Sequence, residues 1–313
     1  MSSSLTGAGG AFSRLRMSTK AAEPRIARGL SEFDGRYDVV FCDVWGVVHN
    51  GQERYPAACE ALQRFRAQGG TVILITNAPR PNPPILEQLE GLKVARDVFD
   101  DMVTSGDVTL AFIAERKDAP IYHIGPERDF TLFEISHQQT GIKPRLVPLE
   151  EAAYVVVTGL YDDRAETVDD YAQRLDMMRA RNLDLISANP DLVVHVGDQL
   201  IYCAGAIAQA YEERGGRVLQ AGKPFAPIYE RALAFAEKIR GTKVPRERIL
   251  AIGDAMRTDV AGAVEFGIDA LFVTKGIHRE ELHADGAIDL AAYQRFLAEN
   301  PRHPLAAIPE LVW

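Results

Sequence analysis

Apolar stretches of this chain repeatedly stop at polar residues able to do chemistry. Val39-Val40-Phe41-Cys42 runs into Asp43, Val72 to Ile75 into Thr76-Asn77, Val218-Leu219 toward Lys223, and Ile249 to Ile252 into Gly253-Asp254. Short unbroken apolar runs predict strands buried on both faces, the pattern of a parallel sheet. Ligand sites of such sheets lie beyond the strand carboxyl ends, so these endings point to one common site. Segments 57–68, stopped by Gly69-Gly70, and 225–239 read as helices between the strands. Helix between strands predicts right-handed βαβ crossovers.

The interval from Asn77 to Lys223 carries its own alternation: Ile121 to Ile124, Tyr154 to Thr158, a helix over 167–181, Leu185-Ile186 and Leu192 to Val196. This predicts a second α/β unit inserted into the first. Pro and Gly gather at Pro79 to Pro84 and at Gly215 to Gly222, where the hinges are expected. The expected division is a core domain over 31–80 and 218–313, an inserted domain over 81–217, and a disordered tail over 1–30. Residues 1–20 hold Arg14, Arg16 and Lys20 but no acidic residue, so a targeting segment and a start at Met17 are the other readings of that end.

Composition narrows the class. With 313 residues, 47% of them hydrophobic, the chain is long enough for two domains. A formal net charge of -9 argues against a surface that tracks nucleic acid, and an anionic substrate must then be held by local groups. Cys42, Cys59 and Cys203 are odd in number and widely spaced, which suits small core residues of a reduced compartment. No apolar run reaches the ~18 residues of a membrane span. The expectation is a cytoplasmic protein without a membrane or nucleic-acid partner.

The strand-end residues together supply the parts of phosphoryl transfer. A carboxylate attacks phosphorus, hydroxyl and amide donors hold the equatorial oxygens, a cation offsets charge, and a second carboxylate fixes a metal. Asp43 fits the nucleophile, Thr76 and Asn77 the phosphate donors, Lys223 the cation and Asp254 the metal carboxylate. Mg²⁺ suits this all-oxygen set, since no His or Cys cluster competes for a softer ion.

In its order of motifs the chain resembles the haloacid dehalogenase superfamily, in particular the class IIA branch of N-acetylglucosamine-6-phosphate, p-nitrophenyl and pyridoxal phosphatases. The resemblance rests on Asp43-Val44-Trp45-Gly46-Val47 with Gly51 and Pro56-Ala57-Ala58, on Ile75-Thr76-Asn77, on Gly222-Lys223-Pro224, and on Gly253-Asp254 through Asp259. Within the insert, Val157-Thr158-Gly159-Leu160, Ala188-Asn189-Pro190-Asp191 and Ala204-Gly205 carry it further. It implies a Rossmann-like parallel-sheet core with an inserted α/β cap domain of the C2 type. It also implies Mg²⁺ ligation by Asp43, the Trp45 backbone carbonyl and Asp254. Asp259 would steady the metal waters or Lys223, and Trp45, Gly46 and Asn189 would join Thr76 and Asn77 around the substrate.

Phosphatases similar to this chain place a second Asp two residues after the nucleophile, to protonate the leaving oxygen. Here that residue is Trp45, and an indole moves no proton in ordinary catalysis. General acid–base assistance is worth ~10²- to 10⁴-fold in rate, so its loss matters. Three readings stand: a substrate with a good leaving group such as a phenol or enol; another donor, with His49 either that donor or a surface histidine of the flap; or a ligand bound without efficient turnover, with Trp45 as a stacking wall. Tyr161, Asp162 and Arg164 follow a strand end of the insert and either meet a polar substrate or form a solvated loop.

The leading expectation is a Mg²⁺-dependent phosphatase that hydrolyses a small phosphomonoester, a sugar or aryl/enol phosphate, through an aspartyl-phosphate on Asp43. The alternative is a non-hydrolytic or weakly active phospholigand-binding protein. A small phosphorylated metabolite is the expected partner, and two-fold assembly through the cap is compatible with the resemblance.

Overall fold

The computed structural model describes residues 24–196 and 199–313. Its strands, in chain order, are β1 (Val39–Asp43), β2 (Thr71–Thr76), β3 (Asp101–Thr104), β4 (Ile121–Ile124), β5 (Tyr154–Val157), β6 (Asp184–Ser187), β7 (Val193–Val196), β8 (Gln199–Tyr202), β9 (Arg217–Gln220), β10 (Ile249–Gly253), β11 (Asp269–Val273), β12 (His283–Ala284), β13 (Ala287–Ile288) and β14 (Ala306–Ile308). A six-stranded sheet runs β14-β11-β10-β1-β2-β3, and every pairing in it is parallel. A second parallel sheet runs β4-β5-β6-β9. The architecture is the expected one, a Rossmann-like parallel α/β core carrying an inserted second α/β sheet.

Alternation hidden inside the all-apolar runs sorts each strand between two cores. Val40, Cys42, Val72, Leu74, Leu250 and Ile252 pack on one face of the large sheet, and Val39, Phe41, Ile73, Ile75, Ile249 and Ala251 on the other. The second sheet divides likewise, Val155, Val157 and Leu185 against Tyr154, Val156 and Ile186. Successive strand side chains point to opposite faces, so a sheet covered by helices on both sides needs apolar residues at every position. The covering helices fall within a residue or two of expectation: Pro56–Ala67 opens on a proline suited to a first helical turn, and Ala226–Arg240 follows Lys223.

Strand pairing corrects the expected divisions in three places. β3 joins β2 in the large sheet, so the chain enters the second sheet only at Ile121 and not at residue 81. Val218-Leu219 is not a core strand, because β9 pairs with β6 in the second sheet. Lys223 therefore reaches the site from the segment that returns from one sheet to the other. Residues 25–30, expected as part of a disordered tail, are tied to the core: Ala27 N–H donates to Ala307 O at 2.7 Å, Ala307 N–H to Arg25 O at 2.8 Å, and Leu30 N–H to Val312 O at 2.8 Å. Ala27 and Leu30 are buried in the core beneath the sheet. The calls on residues 1–23, including a start at Met17, lie outside the described residues. Among the described residues no helix is long and apolar enough to cross a membrane.

Leu30, 2% exposed, tests this docking. Leu30→Ala is expected to lower unfolding free energy by ~2–5 kcal/mol in a urea titration, as for other core leucines. A change below ~0.5 kcal/mol would mean that the segment is not part of the core.

Candidate active site

Three parallel strand ends and one returning loop meet at a single cavity. Asp43 closes β1 in register with Ile75, Thr76 and Asn77 follow at the end of β2, and Asp254 follows Gly253 at the end of β10. A cavity of about 370 Å³ opens over them, lined by Asp43, Trp45, Thr76, Asn77, Lys223 and Asp254 among others. Carboxylate oxygens of Asp43, Asp254 and Asp259 all lie within 4.8 Å of one another. All three residues are buried, at 7%, 7% and 5% exposure.

Lys223 is the counter-charge. Its ammonium donates to Asp43 Oδ1, to Asp259 Oδ1 at 2.7 Å and to Ile75 O at 3.4 Å. Burial alone would lower this ammonium, but the carboxylates of Asp259, Asp43 and Asp191 hold it well above the usual lysine range. Asp43 is pushed up to about 7, first by burial and then by Asp259, against the pull of Lys223. Burial, with Asp43 and Asp259 beside it, drives Asp254 well above the ordinary carboxylate range. Three buried carboxylates around one ammonium leave an excess of negative charge, the condition that raises Asp43 and Asp254.

Local backbone sets the remaining contacts. Asp254 Oδ2 accepts from Ile277 N–H at 2.8 Å, and Asp259 Oδ2 from Ala255 N–H at 3.0 Å across the turn that begins the helix. Gly46 has φ +82°, and a Cβ there would stand 2.0 Å from Asp254 Oδ2. Only a residue without a side chain lets the loop after β1 close on that carboxylate. Thr76 Oγ1 accepts from Ala78 N–H at 3.2 Å and faces the cavity.

Asn77 differs from expectation. Its Oδ1 accepts from Lys223 N–H at 2.7 Å, while its two amide hydrogens go to Lys223 O at 3.2 Å and Asp191 Oδ1 at 2.9 Å. The side chain is thus engaged in holding Lys223 and Asp191, while both Asn77 and Thr76 line the cavity.

A second cavity of about 280 Å³ lies between the two sheets and shares Trp45, Thr76, Asn77, Asp191 and Val194 with the first. Its far wall comes from the insert: Thr158 and Asn189 follow strands β5 and β6 of the second sheet, and Val196 and Ile201 lie in the antiparallel pair β7-β8. Asn189 lines this cavity, and its Oδ1 accepts from Asp191 N–H at 3.0 Å. Tyr161, Asp162 and Arg164 line neither cavity; Tyr161 O–H instead meets Tyr122 and the His123 carbonyl. Asp191, Arg80 and Asp129 line the second cavity without having been singled out by the sequence. For Asp191 the signal was present, since it ends the Asn189-Pro190-Asp191 string, but that string reads as a turn.

Trp45 forms a wall between the cavities. Its indole meets His49 edge-on at 5.0 Å, and a Cβ on Gly51, at φ +86°, would stand 2.5 Å from the indole Cη2. His49 is not the surface histidine expected as one reading: it is 2% exposed, and its Nδ1 accepts from Gly51 N–H at 2.9 Å. Burial lowers its pKa to about 4, so the ring is neutral at pH 7 and has no extra proton to give.

A parallel α/β core that gathers strand-end carboxylates and a lysine beneath an inserted sheet defines a phosphoryl-transfer hydrolase. Two family models match this chain, haloacid dehalogenase-like hydrolase over residues 40–137 and HAD-hydrolase-like over residues 220–298. The crystal structure of a haloacid dehalogenase-like hydrolase from Brucella suis 1330 is 46% identical, covers 92% of this chain and 100% of its own, and superposes with a TM-score of 0.81. The 5'-nucleotidase YutF of Bacillus subtilis is 26% identical over 88% of this chain and 98% of its own length. Ribonucleotide monophosphatase NagD of Escherichia coli is 25% identical over 76% and 88%. The chain belongs to the haloacid dehalogenase-like hydrolases, in the class IIA branch, and is an enzyme of the phosphomonoester hydrolase class.

His49 gives a pH-dependent test of this local packing. Its folded pKa lies below the unfolded value, so its contribution to stability is complete above pH 6.5 and is lost as pH falls toward about 4. Between those limits wild type should lose ~2–3 kcal/mol more than His49→Gln in chemical denaturation. Parallel losses in the two proteins would contradict the buried neutral imidazole.

Proposed function

We propose that the enzyme is a Mg²⁺-dependent phosphatase of small phosphomonoesters that works through a phosphoryl group carried on Asp43. The observation that carries this reading is the cluster of Asp43, Asp254 and Asp259 carboxylates within 4.8 Å, tied to the Lys223 ammonium. The donor set is buried, anionic and all oxygen, which fits a hard divalent cation better than a softer one. Asp43, Asp254 and the Trp45 carbonyl would hold Mg²⁺, with Asp259 steadying Lys223 and the metal's waters. Bound there, the ion would supply positive charge that lets an anionic carboxylate approach a phosphate dianion.

The chain's own groups then divide the work. The Asp43 carboxylate attacks phosphorus, forming an O–P bond as the bond to the leaving oxygen breaks. Thr76 and Lys223 hold the phosphoryl oxygens, and Asp259 keeps Lys223 aimed at them. Attack of water on phosphorus releases phosphate and restores Asp43. The leaving group points away from Asp43 into the cavity between the sheets, where the inserted sheet would select it as a cap. The relatives' names, 5'-nucleotidase, ribonucleotide monophosphatase and acid sugar phosphatase, support a nucleotide or sugar phosphate as the substrate class. Trp45 favours a second reading, phospholigand binding with weak turnover, because its side chain cannot protonate a leaving group.

Hydrolysis of p-nitrophenyl phosphate and a panel of sugar and nucleoside monophosphates, with Mg²⁺ or with EDTA, separates the two. Turnover should require Mg²⁺ and fall by ~10³-fold or more in Asp43→Asn. Lys223→Ala should cost ~10²- to 10³-fold in kcat, as for loss of a group that stabilises transition-state charge. A wild type inactive across the panel would leave the binding reading in its place, and Asp43→Asn as active as wild type would overturn the role of Asp43.

A further inference from the structure

The reaction proposed above needs a proton for the leaving oxygen and a base for the attacking water, and neither Trp45 nor the neutral, buried His49 supplies them. We propose that Asp191 is the general acid–base residue of this enzyme, acting from the inserted sheet across the mouth of the Asp43 cavity. The proposal rests on Asp43 being the nucleophile. As Asp43 attacks and the P–O bond breaks, the Asp191 carboxyl gives its proton to the departing oxygen, which leaves as an alcohol. The resulting Asp191 carboxylate then takes a proton from the water that attacks the phosphoryl group on Asp43. Phosphate departs, and both acids return to their starting states.

Placement is the main argument. A phosphate lodged beside Asp43, Thr76 and Lys223 directs its ester oxygen to the opening between the two cavities. That opening is formed by the five residues common to both: Trp45, Thr76, Asn77, Asp191 and Val194. Asp191 alone among them carries a carboxyl or other group that titrates near neutrality. It is also held in position. Its N–H donates to Asn189 Oδ1 at 3.0 Å, its carbonyl accepts from Gly205 N–H at 3.1 Å, and its Oδ1 accepts from Asn77 Nδ2 at 2.9 Å. Asn77 in turn grips the Lys223 backbone, and the Lys223 ammonium donates to Asp43. One amide therefore fixes the cation and the acid relative to each other.

Its surroundings suit the role. Burial raises the Asp191 carboxyl to about 6, against Lys223, the Asn77 amide and Arg257, which lower it, while Asp259 adds to the rise. Asp43 faces it with like charge. Cys203, on the inserted side, stays a neutral thiol because burial and Asp191 raise it. His49, Arg80, Arg128, Asp129 and Asp163 line the second cavity with it. An acid poised near neutrality serves both half-reactions.

The test compares kcat/KM for p-nitrophenyl phosphate, whose leaving group needs little protonation, with that for ribose 5-phosphate, whose leaving group needs it. Asp191→Asn should lower the ribose 5-phosphate value by ~10²-fold or more and the p-nitrophenyl value by less than ~10-fold. The same variant should show a stoichiometric burst of p-nitrophenol, because attack of water on the phosphorylated Asp43 has lost its base. Adding Trp45→Asp to Asp191→Asn should restore turnover of the sugar phosphate. In wild type the ratio of the two kcat/KM values, sugar over aryl, should fall as pH rises from about 5 to about 8, a measurement that holds even if the variant folds poorly.

Equal losses on both esters, no loss on the sugar phosphate, or a pH-independent ratio would each overturn the role of Asp191. Asp43→Asn run alongside should be inactive toward both esters. If it matches wild type, or wild type turns over neither ester, the nucleophile reading fails and takes this proposal with it. An inactive Asp43→Asn with equal losses in Asp191→Asn removes Asp191 alone.

Discussion

Three buried carboxylates around one buried ammonium is the arrangement on which the rest of this molecule depends. Two unit charges ~5 Å apart repel by roughly 3 kcal/mol at an effective dielectric of ~20, so such a cluster persists only where covalent geometry and packing enforce it. Here the parallel sheet does so. Asp43 and Asp254 follow neighbouring strands whose residues are buried throughout, and neither strand can slip without turning its apolar residues to the wrong face. The same excess of charge that opposes folding makes the site ready for a divalent cation and a phosphoryl group.

The inserted sheet is tied to the site through the segment that carries Lys223. Because β9 pairs with β6, the chain returns to the core through Gly222-Lys223, and the ammonium arrives on a segment that both sheets tether. Asn77 joins that segment to Asp191 on the far side. Of the two joined cavities, one is walled mainly by the core and the other draws much of its wall from the insert, with Trp45 shared between them. Trp45 offers no proton donor on the core side, while the Asp191 carboxyl on the insert lines both cavities.

Much of this was legible in the chain. β1, β2 and β10 announce themselves because a strand buried on both faces must be apolar at every position, and the polar residue that ends each run is then conspicuous. β3 hides because Asp101-Met102-Val103-Thr104 is short and polar at both ends. Val218-Leu219 reads correctly as a strand, but an apolar dipeptide carries no information about which sheet it will join; hydrogen bonding to β6 decides that. Asp191 and Asn77 are 114 residues apart, and an Asn-Pro-Asp string looks like any other turn until folding sets it opposite that amide. His49 looked like a flap residue because nothing local reveals that Trp45 folds over Gly51 and covers it.

The central claim is that Asp43 carries the phosphoryl group, and chemical trapping tests it most directly. Enzyme mixed with p-nitrophenyl phosphate and Mg²⁺, quenched in acid and reduced with borohydride, should yield homoserine in place of aspartate at position 43, read by peptide mass spectrometry. Homoserine at another acidic position, or none at any position while p-nitrophenol is released, would contradict the account.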